Sequence, residues 1–163
     1  MTAPAISILE ADLARPDHQA ATINLLNGYS MDPMADAAPL SDTTRRELIP
    51  GLRAHPTTLV FLAYRDTEPV GLAICFRGFS TFAARPLVNI HDFFVAPAHR
   101  GTGISRMLFA AIEQSARELG CCKLTLEVLE NNHRARGVYA AAGFAPPAYA
   151  PGTGGSLFLA KPL

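Results

Sequence analysis

Cysteine is scarce in this chain, and no sign of charge dominates it. There are three cysteines in 163 residues, and two of them, Cys121 and Cys122, are adjacent. That is a poor disulfide framework. Thiols packed in a core, in a reducing cytoplasm, are the simplest reading. No second Cys or His pair has zinc-site spacing, so no metal is expected. Lys and Arg together number 14, as do Asp and Glu, so the formal net charge is zero. Neither nucleic acid nor a membrane surface is an expected partner. No apolar run approaches the roughly 20 residues of a membrane span. The first residues, MTAPAISILEADL, lack the basic region and apolar core of a secretory signal. Two phosphate-binding strings are also missing. There is no GxxxxGK followed by Ser or Thr, and the GxGxxG fingerprint would need glycine at Arg106. A dinucleotide-binding oxidoreductase is thereby disfavoured.

What is present suits one globular domain. About half of the residues are apolar (49%), and the length allows a full core. Ile6 to Glu10 alternates weakly and predicts a first strand. A helix is expected over Asp17 to Leu26, ending near Gly28. Tyr29 to Leu40 reads as a loop. Ser41 or Asp42 then caps a second helix, whose end Pro50-Gly51 disrupts. Thr58 to Tyr64 and Pro69 to Phe76 are strands joined through Arg65-Asp66-Thr67-Glu68. Arg77 to Pro86 reads as a second loop, and Leu87 to Val95 as the next strand. Ile104, Met107, Leu108, Ala111, Ile112, Ser115 and Leu119 form a helical stripe closed by Gly120. Cys122 to Val128 alternates as a half-buried strand, and Asn132 to Ala142 is helical. Two short strands flank a turn at Pro151 to Gly155, the last near Leu157 to Ala160. Periodicity supports an α/β or α+β domain.

One stretch is more specific than the rest. Ile90 to Val95 is followed by a polar turn at Pro97, by Arg100-Gly101-Thr102-Gly103, and at once by the helix from Ile104. Strand, glycine loop and helix N-terminus in that order form an anion site, because backbone N–H groups converge where the helix dipole favours negative charge. Further on stands Asn132-x-x-Ala135-x-x-x-Tyr139-x-x-x-Gly143-Phe144. Together these motifs resemble the GNAT superfamily of acyl-CoA N-acyltransferases. The final loop position, usually Gly or Ala in that family, is Ser105 here.

The resemblance implies a mixed, mostly antiparallel central sheet with helices on both faces, and acetyl-CoA as cosubstrate. Its pyrophosphate would sit on backbone N–H groups of Arg100, Gly101, Thr102, Gly103, Ile104 and Ser105, with the Arg100 side chain nearby. Phe94 and Val95 would supply backbone groups to the pantetheine arm and polarise the thioester. Asn132 would lie near the pantetheine or adenosine phosphate, although capping its own helix explains it equally. Tyr139 matches the acid that protonates the leaving thiolate, since a phenol has comparable basicity; its alternative is core packing. The string from Ile90 to Val95 is similar to diamine acetyltransferases, with histidine where they carry an acid. His91 or Asp92 is therefore a candidate base, and Glu127 is a third. Strand alternation places His91 and Asp92 on opposite faces.

The implied activity is acetyl transfer to the primary amine of a small molecule. A protein N-terminus or lysine is the alternative acceptor, and a non-catalytic acyl-CoA-binding module the alternative class. Homodimers are common among similar proteins, so a homodimer is the expectation for assembly. Tyr29, Phe79 and Phe82 are candidate linings of an acceptor pocket, with residues 29 to 40 and 77 to 86 as its loops.

Overall fold

A computed structural model describes residues 5–163. The chain divides into two compact units, Met1–Leu129 and Glu130–Leu163, which are treated in turn.

The first unit is a five-stranded sheet in the order β1-β2-β3-β4-β5. Its strands are β1 (Ile6–Glu10), β2 (Thr58–Arg65), β3 (Glu68–Ser80), β4 (Arg85–Val95) and β5 (Leu124–Leu126). The first four pair antiparallel. β5 runs parallel to β4, which requires a crossover, and the helix α3 (Ile104–Glu118) supplies it. Two more helices, α1 (Pro16–Ser30) and α2 (Asp42–Ala54), lie between β1 and β2 in the chain.

Register assigns the helices to opposite faces. Leu62, Leu72 and Phe94 are aligned across β2, β3 and β4. They form one core with Ala21 and Leu25 of α1 and Leu52 of α2. One residue along, Ala63, Gly71 and Val95 are aligned and face the other way. A Cβ on Gly71 would lie 3.1 Å from Ala63 Cβ, 3.2 Å from Leu108 Cδ1 and 3.3 Å from Ile104 Cγ2. On this second face Phe93 stacks on Phe109 of α3 at 4.3 Å between ring centroids. The expected mixed sheet with helices on both faces is what the first unit shows.

Several boundaries differ from the sequence reading. α1 runs through Gly28 to Ser30. Gly28 is there for packing, since a Cβ would meet the Phe94 ring at 3.2 Å. Ser41 is the α2 cap, accepting a hydrogen bond from Thr44 N, but α2 continues past Pro50 to Ala54. Proline removes one helical hydrogen bond; Pro50 is exposed, while buried Ile49 and Leu52 hold that turn to the core. The loop expected from Arg77 to Pro86 is mostly strand, with Arg77 opposite Val88 and Ser80 opposite Arg85. Only residues 81–84 form the connection, and Ala84 there has φ +51°. Long-range pairing overrides the weak local signal of Arg77-Gly78 and Arg85-Pro86. On α3, Met107 is exposed and Phe109 takes the core position. β5 is shorter than the predicted strand from Cys122 to Val128.

In the second unit, α4 (His133–Ala141) forms as expected. The two tail strands do not: residues 145–163 contain a turn beginning at Pro151, and Leu157, Phe158 and Leu159 are exposed with no strand assigned. A strand needs a partner edge, and apolar alternation alone does not supply one.

Two glycine-to-alanine substitutions should have opposite signs. Gly51→Ala, in α2 with nothing within 4 Å of the new Cβ, should stabilise by about 0.5–1 kcal/mol through helix propensity. Gly71→Ala should destabilise by about 1 kcal/mol or more, because the new methyl overpacks β2 against α3. Urea unfolding of both variants checks this, and equal signs would contradict the packing described.

Candidate active site

The site is built on β4. Over its first half this strand is paired on both sides: Val88, Asn89 and Ile90 face Leu124, Thr125 and Leu126 of β5. The Asn89 side chain donates to Thr125 Oγ1 at 3.1 Å and fastens that end. Past Ile90 the pairing with β5 stops, while β4 continues to Val95 paired only to β3. The β5-side edge of residues 91–95 therefore has no strand beside it.

A bulge lies at the parting point. Ile74 is aligned with Asp92 and Cys75 with Ile90, so His91 is an extra residue on β4. A bulge bends the strand and re-aims its side chains. It overturns the expectation that His91 and Asp92 lie on opposite faces. The His91 ring packs edge-on to Phe76 at 5.6 Å, and Phe76 lies against the core beneath α1 and α2. Asp92 is aligned with Ile74 of the same core, and its charge acts on Tyr29 of α1. Both side chains therefore belong to the α1/α2 face.

Their environments differ. His91 is exposed, whereas Asp92 is only partly so. Burial pushes the Asp92 carboxyl above its ordinary value, and neighbouring His91 opposes the shift. Tyr29 meets the Phe94 ring at 6.0 Å. Its phenol is pushed up by burial first, then by the charges of Asp92, Asp32 and Asp36. Cys75 is fully buried, and its thiol is pushed up to about 12, mainly by burial; it is a packing residue with no thiolate to offer.

After Val95 a short 3-10 turn (Pro97–His99) leads into the glycine loop. Gly101 has φ +78° and Gly103 φ +90°, a region that only glycine enters freely. Gly103 is the N-cap of α3. No heavy atom lies within 4 Å of where a Cβ would stand on either glycine, so the loop is open to a ligand. The first N–H groups of α3, at Ile104 and Ser105, have no acceptor inside the helix. Thr102 is exposed, and its hydroxyl donates to His99 O at 2.6 Å. His99 itself is only 11% exposed and lies 3.7 Å from Glu68 of the β2–β3 hairpin.

The Arg100 side chain does not reach out over this loop. Its Nε donates to Val95 O at 2.8 Å and its Nη2 to Asp32 Oδ2 at 2.8 Å. The guanidinium lies 5.7 Å from the centre of the Phe94 ring. The contact to Asp32 spans 68 positions in sequence and was not foreseen; two aspartates in the segment after α1 were its only trace.

In the second unit Asn132 caps α4, accepting from Ala135 N at 3.1 Å. Tyr139 is half-buried on α4, with the Phe144 ring 6.2 Å away. Glu127 is exposed beyond the end of β5. Among the described residues, no group of His, Cys, Asp and Glu could hold a metal ion. None of the described helices is long and apolar enough to cross a membrane.

Residues 22–144, well over half of the chain, match the profile of the acetyltransferase (GNAT) family. The chain belongs to that family. Among its relatives is a thialysine N-epsilon-acetyltransferase of Bos taurus, 34% identical over 74 residues, which cover 45% of this chain and 43% of that protein. A streptothricin acetyltransferase of Streptomyces lavendulae is 41% identical over 70 residues, covering 43% of this chain and 37% of that one. The chain thus spans less than half the length of these relatives. Two solved GNAT-like structures share the fold over nearly the whole chain. An aminoglycoside acetyltransferase from an uncultured soil metagenomic sample, in complex with trehalose, has a TM-score of 0.73 at 17% identity, covering 96% of this chain and 97% of that one. A ribosomal-protein-alanine N-acetyltransferase of Brucella melitensis biovar Abortus 2308 has 0.70 at 20% identity, covering 90% and 96%. GNAT enzymes use acetyl-CoA as cosubstrate.

Asp92→Asn should raise the melting temperature at neutral pH. The folded-state pKa lies above the ordinary value of 3.8, so the contribution of this carboxyl to stability is fully present below 3.8 and is lost as pH rises through the folded pKa. The gain from the amide should shrink as pH is lowered towards 3.8. Thermal melts across pH check this; a pH-independent difference would count against a desolvated carboxylate.

Proposed function

We propose that the protein transfers an acetyl group from acetyl-CoA to the primary amine of a small molecule, by direct attack in a ternary complex. The observation that carries this reading is the end of β4–β5 pairing at Ile90, next to Asp92, on the strand that feeds the glycine loop. A thioester laid along residues 91–95 would have its carbonyl among backbone N–H groups and a partly buried carboxylate close by. The names of the relatives, which act on thialysine and streptothricin, support a small acceptor.

The assigned roles follow the chemistry. Backbone N–H groups from Gly101 to Ser105 take the pyrophosphate, and those of Phe94 and Val95 serve the pantetheine arm and the carbonyl. The family resemblance assigns Asn132, which caps α4, to the cofactor. The ammonium acceptor is drawn to Asp92, and loses a proton to Asp92 or to water held by His91. A carboxyl with raised pKa is a better base than an ordinary one. The amine nitrogen bonds to the carbonyl carbon and gives up its second proton to water, the carbon–sulfur bond breaks with its electron pair on sulfur, and Tyr139 donates a proton to the thiolate. No metal takes part in this scheme.

Calorimetric titration with acetyl-CoA, with NAD as control, followed by a primary-amine screen, tests the reading. Saturable binding of acetyl-CoA alone and N-acetylated product are expected. In Tyr139→Phe, kcat should fall about a hundredfold or more while acetyl-CoA binding is retained. Binding without turnover on any amine would favour a non-catalytic acyl-CoA module, and binding of NAD would end the proposal.

A further inference from the structure

The guanidinium of Arg100 is engaged at both ends of its fork. Nε holds the last carbonyl of β4 at Val95, and Nη2 holds Asp32. The pair is largely shielded, with Arg100 24% and Asp32 13% exposed at the side chain. Phe94 lies beneath the guanidinium, and Tyr29 packs against Phe94. Asp32 is anchored in its own segment, because its Oδ1 accepts from Met34 N at 2.9 Å and its N–H donates to Tyr29 O. The rest of that segment is pinned to α1: Ala38 N donates to Ser30 O, and Leu40 N to Asn27 Oδ1. A force on Arg100 is therefore passed to residues 31–40 as a unit. To swing over the glycine loop, Arg100 would have to give up a charge-assisted bond and a main-chain bond together.

We propose that Arg100 is a positioning residue that ties the segment following α1 to the glycine loop, so that the amine-binding border and the cofactor cradle move as one. Anion binding is left to the backbone of Gly101 to Ser105. The assignment of residues 31–40 to the amine side rests on the function proposed above; the tether itself does not.

The variants Arg100→Gln and Asp32→Asn, with the double variant, separate the two ideas. Hydrogen–deuterium exchange needs no activity. Arg100→Gln should speed exchange in residues 31–40, and Asp32→Asn should speed it in residues 96–103, each by about tenfold, with the double variant no faster than the faster single one. In turnover assays both single variants should raise the acceptor KM by about tenfold, while the acetyl-CoA dissociation constant in Asp32→Asn stays within about twofold of wild type. Unchanged exchange at 31–40 in Arg100→Gln would overturn the tether. So would acetyl-CoA binding weakened about tenfold by Arg100→Gln alone, with no effect of Asp32→Asn, because the guanidinium would then be a phosphate ligand. A wild-type protein that acetylates no amine, yet shows the reciprocal exchange changes, would keep the tether and remove the proposed function.

Discussion

One strand is held on two sides for half its length and on one side for the rest, and the site follows from that asymmetry. Beyond Ile90 the backbone of β4 meets no strand on its β5 side, and at the far end the Val95 carbonyl is held by Arg100 Nε. Such an edge invites an extended ligand in place of a strand. The first half supplies the rigidity: Val88 and Ile90 are buried, and Asn89 is bonded to β5. The bulge at His91 then changes which face the following residues serve. Without it, Phe94 and Asp92 would exchange faces with Phe93, and the contacts to α1 and α3 would both be lost.

The two faces divide the work. On the α3 side the contacts are apolar and close, with Gly71 admitting Leu108 and Ile104 and Phe93 stacked on Phe109. This fixes the start of α3, and hence the orientation of its first N–H groups. The α1/α2 side combines core with charge. Asp92, Asp32 and Asp36 all act on Tyr29, and Arg100 offsets one of them directly. Neutralising Asp32 leaves Asp92 as a carboxylate whose charge is not balanced by a cation of its own beyond exposed His91. A partly buried carboxylate of that kind costs stability and gains basicity, a common trade at catalytic positions.

The glycine loop, the helix after it and the Asn132–Tyr139 spacing were legible because each is a local arrangement with a local signal. Gly101 and Gly103 declare positive φ by residue type, and the stripe from Ile104 declares a helix. The mixed sheet was legible as well, through the order of strand and helix signals. Less visible were the extents of elements stabilised by distant partners. Arg77 to Ser80 reads as a loop until β4 is beside it, and Pro50 reads as a stop until Ile49 and Leu52 are buried. Gly28 looks like a helix end because its real reason, the Phe94 ring, is far away in the chain.

The sequence by itself determined the glycine loop and the helix after it, because backbone geometry and short-range periodicity are written in consecutive residues, and its two motifs carried the family resemblance. Only the tertiary structure decided that His91 and Asp92 share a face, that Asp92 is desolvated beside Tyr29, and that Arg100 is bound to Asp32. Each of these depends on a register shift or a contact between residues remote in the chain, and register is a property of two strands that neither one carries alone.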